Sequence, residues 1–169
     1  MATREKCDSK VVDSIYRLSV EDKWKLAEEY YESGVSLIKS NRNREAFKML
    51  RQASTLASIA NKKDCDLKQK CLSNLTLIQF NLGRFEQVVP GVSYILENCP
   101  DSSNKAKLIA RRGRAQMKLN NYEAAIADFN EVMNIDANFP NAMADINTAK
   151  KLRKEHDQKL GSALKKMFN

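Results

Sequence analysis

The sequence has few residues that turn a chain sharply, with only 5 glycines and 3 prolines among its 169 residues. Because Gly and Pro are the strongest local breaks in regular structure, their scarcity favours long helices over many short strands. Apolar residues make up 43% of the chain and charged residues 30%, which is typical of a globular domain. A chain of this length fits one domain with its own core.

Long hydrophobic runs are also missing. No run reaches the roughly 20 residues that a helix needs to span a bilayer, and no signal peptide is evident. The cysteines, Cys7, Cys65, Cys71 and Cys99, form no CxxC pair, so a reduced setting is expected, cytoplasmic and also nuclear. His156, the one histidine, cannot complete a zinc site with scattered thiols. We therefore expect no metal and no cofactor.

The motifs that carry catalysis are absent as well. The sequence contains no phosphate-binding loop, no GxSxG and no HExxH. A single histidine among scattered acids gives no evident pairing of a nucleophile with a base. We expect no enzymatic activity and no catalytic residues, which leaves binding as the function.

Apolar residues recur at helical spacing along most of the chain. Ser19 can cap a first helix, with Asp22 three residues on and Leu18 packing forward, and this helix is predicted to extend to Lys39. Breaks between later helices are predicted at 41–43, 61–66, 83, 101–104 and 120–121. Pro140 is predicted to occupy the first turn of a seventh helix that ends near 167.

The helices repeat in pairs with a unit of about 34 residues. If the small residue at the tightest helix crossing is position 8, then Gly34, Thr76 and Gly113 coincide, and two longer loops absorb the extra residues. Two further sets then share a position: Ala46, Val88 and Ala125 at position 20, and Leu50, Val92 and Phe129 at position 24. Pro100 falls on position 32, where the third unit has Ala137.

This pattern resembles the tetratricopeptide repeat (TPR), which has a small residue at 8, Ala at 20, an aromatic at 24 and Pro at 32. The resemblance implies an all-α fold in which residues 19–139 hold three helix-turn-helix repeats and residues 140–169 form a long C-terminal capping helix. The three repeats cover about 27–60, 69–102 and 106–139. Stacked repeats of this kind build a right-handed α-solenoid.

Four segments (16–23, 70–75, 107–113 and 163–168) resemble the C-terminal half of FK506-binding immunophilins. Residues 1–18 then form a polar lead-in, interpreted as a remnant or linker of an upstream isomerase-like domain. That domain is absent from this sequence, so the chain is either a fragment of a longer protein or an unusual family member. The resemblance implies a protein-interaction scaffold of the co-chaperone or adaptor type, with a chaperone or client kinase as partner.

The family lines a concave groove with the first helix of each repeat, which implies the partner-binding residues here. They are Tyr31, Val35, Ile38, Lys70, Asn74, Leu77, Phe80, Lys107, Arg111, Arg114, Met117 and Lys118. The apolar members suit an amphipathic helix and the basic members suit an acidic segment. The third repeat supplies the basic side, because Lys105–Lys118 holds six basic residues and no acid.

The spacing of these cations indicates a shared surface. Lys107, Arg111, Arg114 and Lys118 are 4, 3 and 4 residues apart, which puts all four on one face of a helix. That face is either the basic side of the groove or an ordinary solvated helix surface. Tyr31 is likewise either a groove residue or part of the core.

Many TPR domains hold the acidic C-terminus of a heat-shock chaperone in a carboxylate clamp. Asn74, Lys107 and Arg111 match the clamp pattern, whereas Tyr31 and Val35 replace its Lys and first Asn. Losing two hydrogen bonds to a charged group costs about 3–6 kcal/mol, which is at least two decades in affinity. The sequence therefore argues against ordinary binding of a chaperone tail.

Two other functions were weighed against a protein-binding groove, and the net charge of +8 supports the first of them. Nucleic-acid binding is the main alternative, but readers of single strands interleave aromatics with basic residues, and Lys105–Lys118 contains no aromatic. A repeat that oligomerises through its last helix is the other. That helix has Ile146, Ala149, Leu152, His156 and Leu160 along one side, a side that would also serve to cap the repeats.

Overall fold

A computed structural model describes residues 17–60, 66–99 and 104–168. Within these ranges there are seven helices and no strand: α1 Val20–Lys39, α2 Asn43–Ala60, α3 Asp66–Asn81, α4 Phe85–Asn98, α5 Lys105–Lys118, α6 Tyr122–Ile135 and α7 Ala142–Phe168. The predicted all-α class, with three helix-turn-helix repeats and a long last helix, is confirmed. The predictions for residues 1–16 (with Cys7), for the loops at 61–65 (with Cys65) and 101–103, and for Pro100 lie outside the described residues.

Helix α1 begins where the capping pattern predicts. The Ser19 hydroxyl accepts a hydrogen bond from the backbone N–H of Asp22 at 3.0 Å and donates one to the Asp22 carboxylate at 2.8 Å. Glu21 and Asp22 lie in the first turn, where negative charge is stabilised by the exposed amides. The predicted end at Lys39 is also confirmed.

Residues in the left-handed conformation separate several of the helices. Asn41 (φ 58°), Gly83 (φ 72°) and Asn120 (φ 63°) end α1, α3 and α5, as the predicted breaks require, since Gly and Asn tolerate this region best. The prediction for Pro140 is wrong. Asn141 follows it with φ 67° and accepts the first helical hydrogen bond from Asp145 at 2.8 Å, so Pro140 lies in the turn before α7.

The chain divides into two compact units between Leu75 and Thr76. In the first unit, α1, α2 and the start of α3 share a small apolar core. Its buried members are Ala27, Ala53, Leu56, Ala57, Leu67 and Cys71, and Trp24, Leu26, Tyr30 and Tyr31 pack against it while partly exposed. A Cβ placed on Gly34 would lie 2.7 Å from Cγ of Leu50, so the crossing of α1 and α2 requires glycine.

In the second unit α5 packs against α4, α6 and α7, and α6 also packs against α7. Two buried clusters hold these helices together: Ile109, Ala110, Val132 and Ala142 in one, and Ala125, Phe129 and Ile146 in the other. A Cβ on Gly113 would lie 3.0 Å from the Phe129 ring. The third repeat therefore places position 8 against position 24, as Gly34 and Leu50 do in the first.

In the second repeat the two helices, α3 and α4, also come close together, but here the glycine lies on the second helix of the pair. Thr76 stands at position 8 of α3, and a Cβ on Gly91 of α4 would lie 3.1 Å from its methyl group. Thr76 is itself buried. The larger residue at position 8 is thus accommodated because its neighbour has no side chain.

Helix α7 is buried only along its first part. Ala142, Ile146 and Ala149 are buried, whereas Leu160 is 52% exposed and Met167 is 78% exposed. Of the predicted apolar side, Leu152 is half-buried and His156 is exposed, with its ring against the edge of Tyr122. Among the helices of the described ranges, none is long and apolar enough to cross a membrane.

Candidate functional site

Three of the predicted groove residues lie on α1, where they are half-buried. Tyr31 packs against the core of the first unit, and Val35 and Ile38 follow at one-turn intervals along the helix. Tyr31 therefore belongs in part to the core, which was one of the two interpretations of this residue from the sequence. The rest of its side chain is exposed to solvent.

Asn74, on the first part of α3, contacts Tyr31 directly. The Asn74 side-chain amide donates a hydrogen bond to the Tyr31 phenol oxygen at 3.4 Å, which is at the long end of the range for such bonds. The tyrosine stands at the position where the clamp has Lys. The Asn74 amide, which in a clamp would donate to a carboxylate, here donates to the Tyr31 hydroxyl.

Other predicted residues on α3 are also engaged within their own units. Lys70 is exposed and forms an ion pair with Asp66 one turn earlier. The ring of Phe80 packs edge-on against Phe85 at the turn into α4, with centroids 5.3 Å apart. Leu77 is half-buried.

The four predicted cations of α5 lie in three different environments. Lys107 and Lys118 are exposed. Arg111 is half-buried and donates a hydrogen bond through Nη1 to the Thr76 hydroxyl at 2.7 Å. Burial lowers the pKa of Arg111 to about 10, so the guanidinium still carries its charge at neutral pH.

Arg114, the fourth cation, is bound by an acid of the last helix. Its Nε donates to Asp145 Oδ2 at 2.9 Å, and its Nη2 lies 2.8 Å from the same oxygen. The Arg114 side chain remains 37% exposed and that of Asp145 20% exposed. Asp145 was not among the predicted site residues, because a single acid in the first turn of a helix looks like an ordinary partner of the helix dipole.

Met117, predicted as an apolar groove residue, packs against the cluster of Ala125, Phe129 and Ile146 and is half-buried there. Its side chain thus contributes to the core of the second unit. The predicted residues that α5 exposes most are the two lysines.

A second arginine of α5 has a structural partner that was not predicted from the sequence. Arg112 forms three hydrogen bonds with the buried carboxylate of Asp128 on α6, the shortest at 2.6 Å. Its Nη1 also donates to the Ser93 hydroxyl of α4 at 3.1 Å. The hydrogen bonds to Asp128 raise the pKa of Arg112. The signal in the sequence was Asp128 itself, an acid on the apolar face that α6 forms with Ala125 and Val132.

In the part of the chain that the structure describes, no three or more His, Cys, Asp or Glu side chains lie close enough together to hold a metal ion. Four of the five charged residues in the predicted groove lie on α5, and the fifth is Lys70.

Comparisons with known proteins agree on the fold. A family model for the tetratricopeptide repeat matches residues 106–139. The C-terminal TPR-containing domain of a Plasmodium falciparum FK506-binding protein is similar in structure, with a TM-score of 0.72 and 20% identity over 85% of this chain and 99% of that one. The TPR domain of Arabidopsis OM64 has a TM-score of 0.64 and 20% identity over 79% and 98%. No curated protein matches the sequence.

Proposed function

We propose that this chain, which has the fold of a tetratricopeptide-repeat domain, is an interaction scaffold for an acidic or amphipathic segment of another protein. Stacked helical repeats use extended surfaces of this kind to bind partners. The observation that carries the proposal is the charge of α5, which has six basic residues and no acid. Its Lys107 and Lys118 are exposed at opposite ends of the helix.

Like charges along one helix face repel each other and lower the stability of the fold, so an anionic partner would reduce this repulsion. Arg112 is neutralised by Asp128, and it serves packing. Lys107 and Lys118 remain exposed to a ligand, and Arg111 adds positive charge between them although it donates to Thr76. Because Arg111 is half-buried, its charge is less screened than that of an exposed lysine.

The first unit offers apolar side chains of its own, Tyr31, Val35 and Ile38 on α1. These side chains are only half-buried, so a partner could cover the remainder. The cations of α5 suit the acidic side chains of an amphipathic segment, and the apolar groups of α1 suit its apolar side chains.

The proposal does not extend to the acidic tail of a heat-shock chaperone. Tyr31 and Val35 replace two clamp donors, and Tyr31 engages the third, Asn74. An internal acidic segment needs no group to hold a terminal carboxylate. We therefore propose an internal segment of a chaperone or client kinase as the ligand. The protein would act as a co-chaperone or adaptor in the cytoplasm and also in the nucleus, and would catalyse no reaction of its own.

We assign the three repeats to residues 27–60, 69–102 and 106–139, within a repeat domain of 19–139 that follows a lead-in at 1–18. Residues 140–169 form the cap. This division is supported by the helix pairs α1–α2, α3–α4 and α5–α6, one for each repeat, although α1, α3 and α5 begin at Val20, Asp66 and Lys105, before the bounds of their repeats.

A charge reversal on α5 tests the function. The variant Lys107→Glu with Lys118→Glu is compared with Lys150→Glu with Lys151→Glu, which changes the net charge equally on an exposed part of α7. Arg111 is left unchanged because it is half-buried against Thr76, so its reversal would disturb the fold. The readout is fluorescence anisotropy of a labelled hexaglutamate peptide, with hexaglutamine as the neutral probe.

Loss of hexaglutamate binding in the α5 variant alone is the expected result. Equal loss in both variants would show that total charge is responsible, and no loss in either would show that the ligand binds elsewhere. A single-stranded RNA probe separates the nucleic-acid alternative. If RNA displaces the peptide and its affinity falls steeply with salt, the ligand is a nucleic acid.

A further inference from the structure

The ion pair between Arg114 and Asp145 joins the basic helix to the last helix. Arg114 belongs to the stripe with Lys107, Arg111 and Lys118, one cation per helical turn. Both Nε and Nη2 of Arg114 approach the single oxygen Oδ2 of Asp145, at 2.9 and 2.8 Å. Asp145 thus binds Arg114 at the place where an acidic side chain of the ligand would bind if all four cations were free of acids from this chain.

We infer that Asp145 acts as an internal competitor of the acidic ligand: it occupies Arg114 and so determines which acidic segments α5 accepts. This inference rests on the proposed function, because it concerns the same cations. A ligand with few acids would bind only the exposed Lys107 and Lys118. A ligand with more acids would gain by displacing Asp145, so the competitor favours strongly acidic segments over weakly acidic ones.

The exposure of the pair is what makes displacement feasible. The Arg114 side chain is 37% exposed and the Asp145 side chain 20% exposed, so solvent and ligand reach both groups. An ion pair this accessible contributes little to stability. By contrast, the partner of Arg112 is only 7% exposed, and no ligand could replace it without unpacking α6.

Three variants and one control test the inference with the hexaglutamate peptide. Asp145→Asn removes the competitor and nearly preserves its shape. Arg114→Gln removes the contested cation, and the double variant removes both. Glu155→Gln is the control, since it also removes one acid from α7 but at an exposed site. Thermal unfolding of each variant verifies the fold.

We expect Asp145→Asn to bind hexaglutamate about three to five times more tightly than the unchanged chain, as one recovered ion pair would give. Glu155→Gln should change the affinity by less than about twofold, because a distant exposed charge is screened. The double variant should lose the gain, since the gain depends on Arg114. This dependence is the mark of a competitor rather than of general charge.

Two results overturn the inference while the proposed function stands. If Asp145→Asn binds more weakly, then Asp145 holds Arg114 in place for the ligand and does not compete with it. If Asp145→Asn and Glu155→Gln improve binding equally, only net charge matters. If neither the unchanged chain nor Asp145→Asn binds the peptide, then the proposed function fails together with the inference.

Discussion

Arg112 of α5 and Asp128 of α6 are joined by three hydrogen bonds, at 2.6, 3.0 and 3.2 Å. This contact commits one cation of a very basic helix to the interior. Arg112 lies on a different side of α5 from Lys107 and Lys118, because residues five and six positions apart in a helix do not share a face. The buried pair therefore sets which side of α5 is left for a ligand.

Removing one member of this pair should destabilise the domain strongly. We expect Asp128→Ala to lower the free energy of unfolding by about 2–4 kcal/mol, because it leaves a half-buried guanidinium without its carboxylate. The double variant Arg112→Met with Asp128→Leu should cost less than Asp128→Ala alone. Urea unfolding measures the free energy of unfolding of both variants and of the unchanged chain. Glu155→Ala, at an exposed site, is the control and should stay within about 0.5 kcal/mol. Equal costs for Asp128→Ala and the control would mean that the pair does not stabilise the fold.

Alanine substitutions at Gly34, where α1 crosses α2, and at Gly161 of α7 should have opposite effects on stability. A Cβ at Gly34 would lie 2.7 Å from Leu50 Cγ, whereas one at Gly161 meets no atom within 4 Å. We expect Gly34→Ala to destabilise by about 1–3 kcal/mol through overpacking. Gly161→Ala should stabilise by about 0.5–1 kcal/mol, because alanine favours the helix. An unchanged or higher melting temperature for Gly34→Ala would contradict the close packing at Gly34.

The altered clamp predicts a gain of function. A peptide with the acidic C-terminus of a heat-shock chaperone should bind very weakly or not at all in calorimetry, and its terminal carboxylate should add no affinity, because two clamp donors are replaced. Tyr31→Lys with Val35→Asn should strengthen its binding by at least two decades, the equivalent of two charged hydrogen bonds. A peptide amidated at its C-terminus is the control, since it lacks the terminal carboxylate. Tight binding by the unchanged chain would refute this interpretation of Tyr31 and Val35.

The Cys71 thiol should resist modification. Burial raises the pKa of the Cys71 thiol to about 12, and the reactive species is the thiolate. At pH 8, alkylation followed by peptide mapping should leave Cys71 unmodified while half-buried Cys99 reacts. In urea both should react. Rapid labelling of Cys71 in the folded chain would contradict its burial.

The same shift gives a pH dependence of stability. In the unfolded chain the thiol loses its proton near pH 9, whereas in the folded chain it keeps it to about pH 12. The stabilisation is therefore present below pH 9 and is lost as the pH rises from 9 towards 12. Cys71→Ala should show a shallower fall of unfolding free energy over this interval, when urea unfolding is repeated at each pH.

Local patterns in the sequence determined the helices and their pairing. The Ser19 cap, the left-handed breaks at Asn41, Gly83 and Asn120 and the position shared by Gly34 and Gly113 act over a few residues or repeat at a fixed period. Such signals can be read without knowing which side chains meet. The all-α repeat fold and its tightest crossings followed from them.

The tertiary structure alone decided the partners of the charged residues. Arg111, Arg112 and Arg114 are close together in sequence, yet they bind Thr76, Asp128 and Asp145 on three different helices. Spacing along α5 assigns a cation to a face, but it does not reveal which acid or hydroxyl a neighbouring helix brings to that face. Those partners lie 35, 16 and 31 residues away in the chain. Packing between helices thus determined that Lys107 and Lys118 stay exposed while Arg114 is already bound.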